Sequence, residues 1–106
     1  MQATNITWLN SITTMTTMTF ETFKAEKLAQ GFDEVLRREW APQWVNETHE
    51  HPFDSDVFVA QGAFALSIEG HTHHFKAGDT FQVARHVPHA ETYGPEGAVF
   101  WAARKN

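Results

Sequence analysis

Apolar and polar positions change rhythm along the chain near residue 32. Before it, Phe20, Phe23 and Leu28 are interleaved with Lys24, Glu26 and Lys27, which predicts one short helix. Thr19 is suited to its N-cap, because a hydroxyl accepts from a free first-turn amide, and Gly31 is suited to its stop, so the helix should end near Gln30. After it, apolar residues come in short runs: Val35-Leu36, Trp44-Val45, Val57 to Val59, Phe64 to Ile68, Phe81 to Val83 and Ala98 to Ala102. Pro, Gly and Asp separate these runs at roughly ten-residue spacing, the signature of an antiparallel sandwich or barrel. Phe64, Leu66 and Ile68 alternate with Ala63, Ala65 and Ser67, a period of two that buries one face of a strand. Glu69-Gly70 and Ala77-Gly78-Asp79 are predicted turns.

Residues 1–18 differ from the rest: they are rich in Thr and carry no charged side chain, so we read them as an N-terminal extension that Trp8 and Ile12 could anchor. Residues 19–106 then form the single domain. The first residues lack a basic segment followed by a continuous apolar one, so no secretory signal is expected and the predicted location is cytoplasmic. No apolar run approaches the roughly 18–20 residues that span a bilayer, which argues against a membrane partner. Eight Lys plus Arg stand against 13 Asp plus Glu, a formal charge of −5 that opposes binding to nucleic acid. The chain has no Cys, so disulfides, thiolate nucleophiles and Cys-ligated zinc are excluded. Its six glycines are spread across turns and form no phosphate loop, and no Ser lies in a Gly-x-Ser-x-Gly elbow.

Seven histidines demand an account. They fall as His49 and His51, then His71, His73 and His74, then His86 and His89. Two His at i and i+2 on a strand share a face with Cα atoms about 6–7 Å apart, close enough for both imidazoles to reach one ion. His49-Glu50-His51 has that spacing, and His89, after Pro88, is placed to begin a strand and supply a third ligand. Three neutral imidazoles suit a divalent transition ion. The second His-x-His, within His71 to His74, follows a Glu-Gly turn and precedes Lys76, and reads as a solvated hairpin. Trp40, Trp44, Phe53 and Trp101 are candidates to line a pocket, whereas the alternating charges Asp33, Glu34, Arg37, Arg38 and Glu39 read as a solvated face.

The run from His49 to Glu91 resembles the two-motif core of a small cupin. His49, His51 and Gly62 match the first motif, and Gly78, Asp79, Pro88 and His89 match the second. The resemblance implies an all-β fold, a double-stranded β-helix or jelly-roll barrel with one short N-terminal helix. It also implies iron, manganese, nickel or zinc held inside by His49, His51 and His89. The sequence departs from the family in two places. The position of the family's metal-binding Glu falls on Ser55, flanked by Asp54 and Asp56, and His86 replaces a usual Gly. Glu91, two residues beyond His89 on the same strand face, is a candidate acceptor beside the ion or a general base.

Two classes of function follow. One is a metalloenzyme of dioxygenase or isomerase type acting on a small organic acid, diketone or thiol, with Glu91 or His86 moving protons. The other is a non-catalytic module that binds or senses a small molecule. Cupins commonly pair by exchanging N-terminal strands, which implies a homodimer.

Overall fold

A computed structural model describes residues 18–106. Trp8 and Ile12, and with them the anchoring expected of the N-terminal extension, lie outside the described residues. Helix α1 spans Phe20–Ala29, with Thr19 as its N-cap accepting from the Thr22 amide. At its other end Gly31 adopts φ +98°, and the amides of Gly31 and Phe32 bond back to the carbonyls of Leu28 and Lys27. This satisfies two orphan carbonyls of the last turn, as the Gly stop predicts.

Six strands follow: β1 Glu34–Trp40, β2 Val45–His49, β3 Asp54–Ile68, β4 His71–Lys76, β5 Thr80–Val83 and β6 His89–Lys105. All pairings are antiparallel. Two predicted runs, Val57 to Val59 and Phe64 to Ile68, merge into the single strand β3, and the segment beginning at His89 runs on through Ala98–Ala102 as β6. The merging follows from irregular register between Val59 and Gln61 and between Gly62 and Phe64, where the two long strands bend together without breaking. The bend divides the ladder into two halves. On one side β1, the second half of β6, the first half of β3 and β5 lie side by side; on the other are β2, the first half of β6, the second half of β3 and β4. The result is the expected jelly roll.

Two glycines make the bend possible. Gly62 has φ +79° and Gly97 φ +71°, conformations that L side chains rarely adopt. A Cβ on Gly62 would run into the Gly97 carbonyl oxygen, and one on Gly97 into the Trp40 carbonyl oxygen.

Alternation along β1 and β6 sends side chains to two cores. Trp101 and Ala103 point outward with Val35 and are covered by the buried Phe23 of α1, whose ring lies 5.9 Å from that of Trp101. Burying a Phe side chain contributes about 1.5–3 kcal/mol, enough to dock a ten-residue helix that would not be stable alone. Lys27 ties the helix down through Asp56 at 3.0 Å. The opposite face of the sheets encloses Val59, Phe64, Leu66, Val83, Tyr93 and Ala98, with Trp40, Phe75, Phe81 and Phe100 packed around them. Among the described residues no helix is long and apolar enough to cross a membrane.

Candidate metal centre

Between the two half-sheets lies a cavity of about 320 Å³ whose wall includes His49, His51 and His89. His49 ends β2 and faces His89 at the start of β6 as its direct cross-strand partner. Directly opposed residues bring their side chains within reach of one another, so the pairing itself sets two ligands side by side. β2 stops at His49, so His51 is not on the same strand face as the spacing predicts. Pro52 follows His51 and cannot donate to a ladder. The loop is positioned instead by the His86 amide, which donates to the His51 carbonyl at 2.8 Å, and the His51 ring stacks on Phe53 at 4.8 Å.

The three residues can present ligand atoms within 4.8 Å of one another, and among the described residues they form the one group of this kind. That spread exceeds the edge of about 3.0–3.4 Å expected for ligands with metal–nitrogen bonds near 2.0–2.1 Å, so an ion would draw the rings inward. Two tautomers are fixed by neighbours. His49 Nδ1 lies 2.7 Å from the Glu47 carbonyl and His89 Nδ1 2.8 Å from the Val87 carbonyl. A carbonyl only accepts, so each Nδ1 carries a proton and each Nε2 is the ring nitrogen left to face the site. Burial lowers the pKa of His51 to about 4, helped by the neighbouring His49 and His89 and by the positive charges of Arg104 and Arg38, so the His51 ring is neutral at neutral pH.

A carboxylate completes the constellation. Glu91 is 9% exposed, and its Oε2 stands 3.4 Å from His89 Nε2 and 3.9 Å from His49 Nε2. Its other oxygen accepts from Asn46 Nδ2 at 3.0 Å, and the Asn46 carbonyl oxygen in turn accepts from Trp44 Nε1 at 2.9 Å. Asn46 and Glu91 are themselves a cross-strand pair. Two imidazole Nε2 atoms and a carboxylate oxygen therefore converge, an arrangement that a shared cation would stabilise. The donor set fits a divalent transition ion.

The sequence profile of the cupin domain family matches residues 36–99, more than half of the chain. The chain belongs to the cupin domain family. Solved structures agree on the fold. A KdgF protein from a Halomonas species aligns with 24% identity and TM-score 0.59 over 68% of this chain and 67% of its own. A Klebsiella pneumoniae protein with a double-stranded β-helix domain aligns with 26% identity and TM-score 0.58 over 67% and 64%. Oxalate decarboxylase from Bacillus subtilis shares 18% identity with TM-score 0.65 over 78% of this chain but 24% of its own. This cupin thus spans about two thirds of the first two and about a quarter of the third. Curated protein sequences give no significant match.

Other residues singled out in this cupin fall into place around the cavity. Ser55 lines it from β3, while Asp54 and Asp56, one step along the strand, face away. Asp54 is held by Arg85 at 3.1 Å and Asp56 by Lys27, so of the three acidic candidates only Glu91 reaches the histidines. His86 has a side chain 64% exposed, 3.3 Å from Glu50, and is not part of the cavity wall. Its link to the site is its backbone amide, which donates to the His51 carbonyl. Trp40 and Phe53 line the cavity as expected, but Trp44 is 49% exposed and touches the site only through Asn46, and Trp101 belongs to the core beneath α1. His71, His73 and His74 lie exposed on β4. Arg38, read as part of a solvated face, lines the cavity together with Arg104. Period-two alternation with Trp40 on β1 and with Phe100 and Ala102 on β6 was the available signal.

Proposed function

We propose that this cupin is a metal-dependent enzyme of isomerase or dioxygenase type acting on a small organic acid. His49, His51 and His89 would hold one iron, manganese, nickel or zinc ion, and Glu91 would move the proton. The observation that carries the reading is the convergence of two Nε2 atoms and the Glu91 carboxylate inside a cavity of ligand size. A bound divalent ion supplies Lewis acidity at positions that three protein nitrogens leave open. The chain's own part is to hold the Nδ1 atoms of His49 and His89 on backbone carbonyls so that Nε2 faces the site, to orient Glu91 through Asn46, and to enclose the ligand between Trp40, Phe81 and Phe100. With His86 outside the cavity, proton movement falls to Glu91. Fold alone does not select the reaction, since a DMSP lyase and oxalate decarboxylase share this barrel.

The test is elemental analysis of protein purified without a His tag, beside His89→Ala and a His71→Ala/His73→Ala control. The expected result is about one equivalent of transition metal in the wild type and the control and none in His89→Ala. Equal metal in wild type and His89→Ala sinks the site, and metal bound without turnover of any small acid moves the weight to a non-catalytic binding module. The reading includes a homodimer, to be checked by sedimentation velocity.

A further inference from the structure

Among the described residues, one arginine of the cavity wall has no ion-pair partner. Arg38 is half-buried on the inward face of β1, with its guanidinium 5.0 Å over the Trp40 ring. Arg104, the second arginine of the wall, is already engaged, by Glu34 at 3.4 Å and over Phe53 at 4.5 Å. For Arg38 no carboxylate lies within salt-bridge distance and no side-chain hydrogen bond forms among the described residues. A guanidinium carries five N–H donors in a planar fork that matches a carboxylate, and stacking on Trp40 holds its plane while leaving those donors free for a ligand.

We propose that Arg38 is the carboxylate anchor of this site. The inference rests on the three-histidine reading and deepens it. His49, His89 and Glu91 come from one half-sheet and His51 from the loop after β2, whereas Arg38 comes from the other half-sheet, so the two groups address a ligand from two sides of one cavity. The ligand is then a small acid with a carboxylate at one end and an oxygen donor for the ion at the other, short enough for about 320 Å³. Charge agrees. With Arg104 paired to Glu34, the wall charges Arg38, Glu47 and Glu91 together with a divalent ion leave a positive surplus that an anionic ligand neutralises.

The experiment is isothermal titration of the Co²⁺-loaded and metal-free protein with malonate and succinate, and with malonamide and succinamide as neutral matches. The expected result is binding of at least one diacid and tenfold or more weaker binding of its diamide. Arg38→Met should weaken the diacid at least tenfold while leaving Co²⁺ stoichiometry and the melting temperature near wild type, and Arg38→Lys should recover part of the loss. Equal affinity for diacid and diamide, an unchanged diacid affinity in Arg38→Met, or no diacid binding by either form overturns the anchor. Failure to take up Co²⁺ overturns the metal reading instead. Diacid binding by the metal-free protein that still depends on Arg38 would then leave the anchor standing without it.

Discussion

At the scale of single residues, the centre depends on which nitrogen carries a proton. The Glu47 and Val87 carbonyls fix that choice for His49 and His89, and Asn46 fixes the direction of the Glu91 carboxylate. Glu91→Gln keeps the shape and removes the charge, so it should weaken metal binding by about 10–100-fold, as loss of partners beside a metal site typically does. Competition against a chelator reads this directly, and an unchanged affinity would separate Glu91 from the ion. His51 makes a second prediction, for the metal-free protein. Its pKa is about 4 when folded against 6.5 as the ordinary value. Above pH 6.5 the ring is neutral in both states and contributes nothing. Between 6.5 and 4 the unfolded chain takes the proton first, so stability falls as pH falls, and below 4 the loss is complete. In His51→Gln the fall in melting temperature over that window should be shallower, as followed by circular dichroism in the presence of chelator.

At the scale of elements, the two long strands decide where everything sits. β3 and β6 bend where Gly62 and Gly97 meet backbone carbonyls at positive φ. Gly62→Ala combines left-handed strain with a clash against backbone that has no free rotation, and should cost at least about 2 kcal/mol. Urea denaturation checks it, with Gly70→Ala, at a turn with open space around it, as the milder comparison. These elements also show what could be read from the chain beforehand. The helix, its Thr19 cap and Gly31 stop, and the alternation of Phe64, Leu66 and Ile68 were all legible, because each is a local rule expressed within a few residues. His49, His51 and His89 were legible through their motif spacing. The merging of runs into β3 and β6 was not, since continuity across a bend depends on a distant partner strand. Arg38 was hidden for a related reason: alternating charge reads as a solvated face until β6 and β3 close the barrel over it. Asn46 gave no signal at all, because its role exists only in the register that sets it opposite Glu91.

At the scale of the whole molecule, the centre joins parts of the chain that are remote in sequence. His49 ends β2, His51 lies in the following loop and His89 opens β6, while β6 is also the strand that carries Trp101 and Ala103 under α1. An ion that binds this arrangement binds the folded barrel far better than the unfolded chain, so its binding free energy appears as stability of the entire domain. At a hundred times its dissociation constant an ion should add about 2.7 kcal/mol. For a domain of this size that is a rise of about 10–20 °C in melting temperature. Differential scanning calorimetry of chelator-stripped protein, titrated with Zn²⁺, Ni²⁺ or Mn²⁺, should show this rise growing with the logarithm of ion concentration. It should be absent in His89→Ala and retained in His71→Ala/His73→Ala, because β4 lies at a sheet edge and its histidines gain no third ligand on folding. A rise of the same size in His89→Ala would place the stabilising ion elsewhere on the molecule. Since protons compete with the ion for imidazole nitrogen, the rise should also shrink as pH is lowered below the ordinary imidazole range.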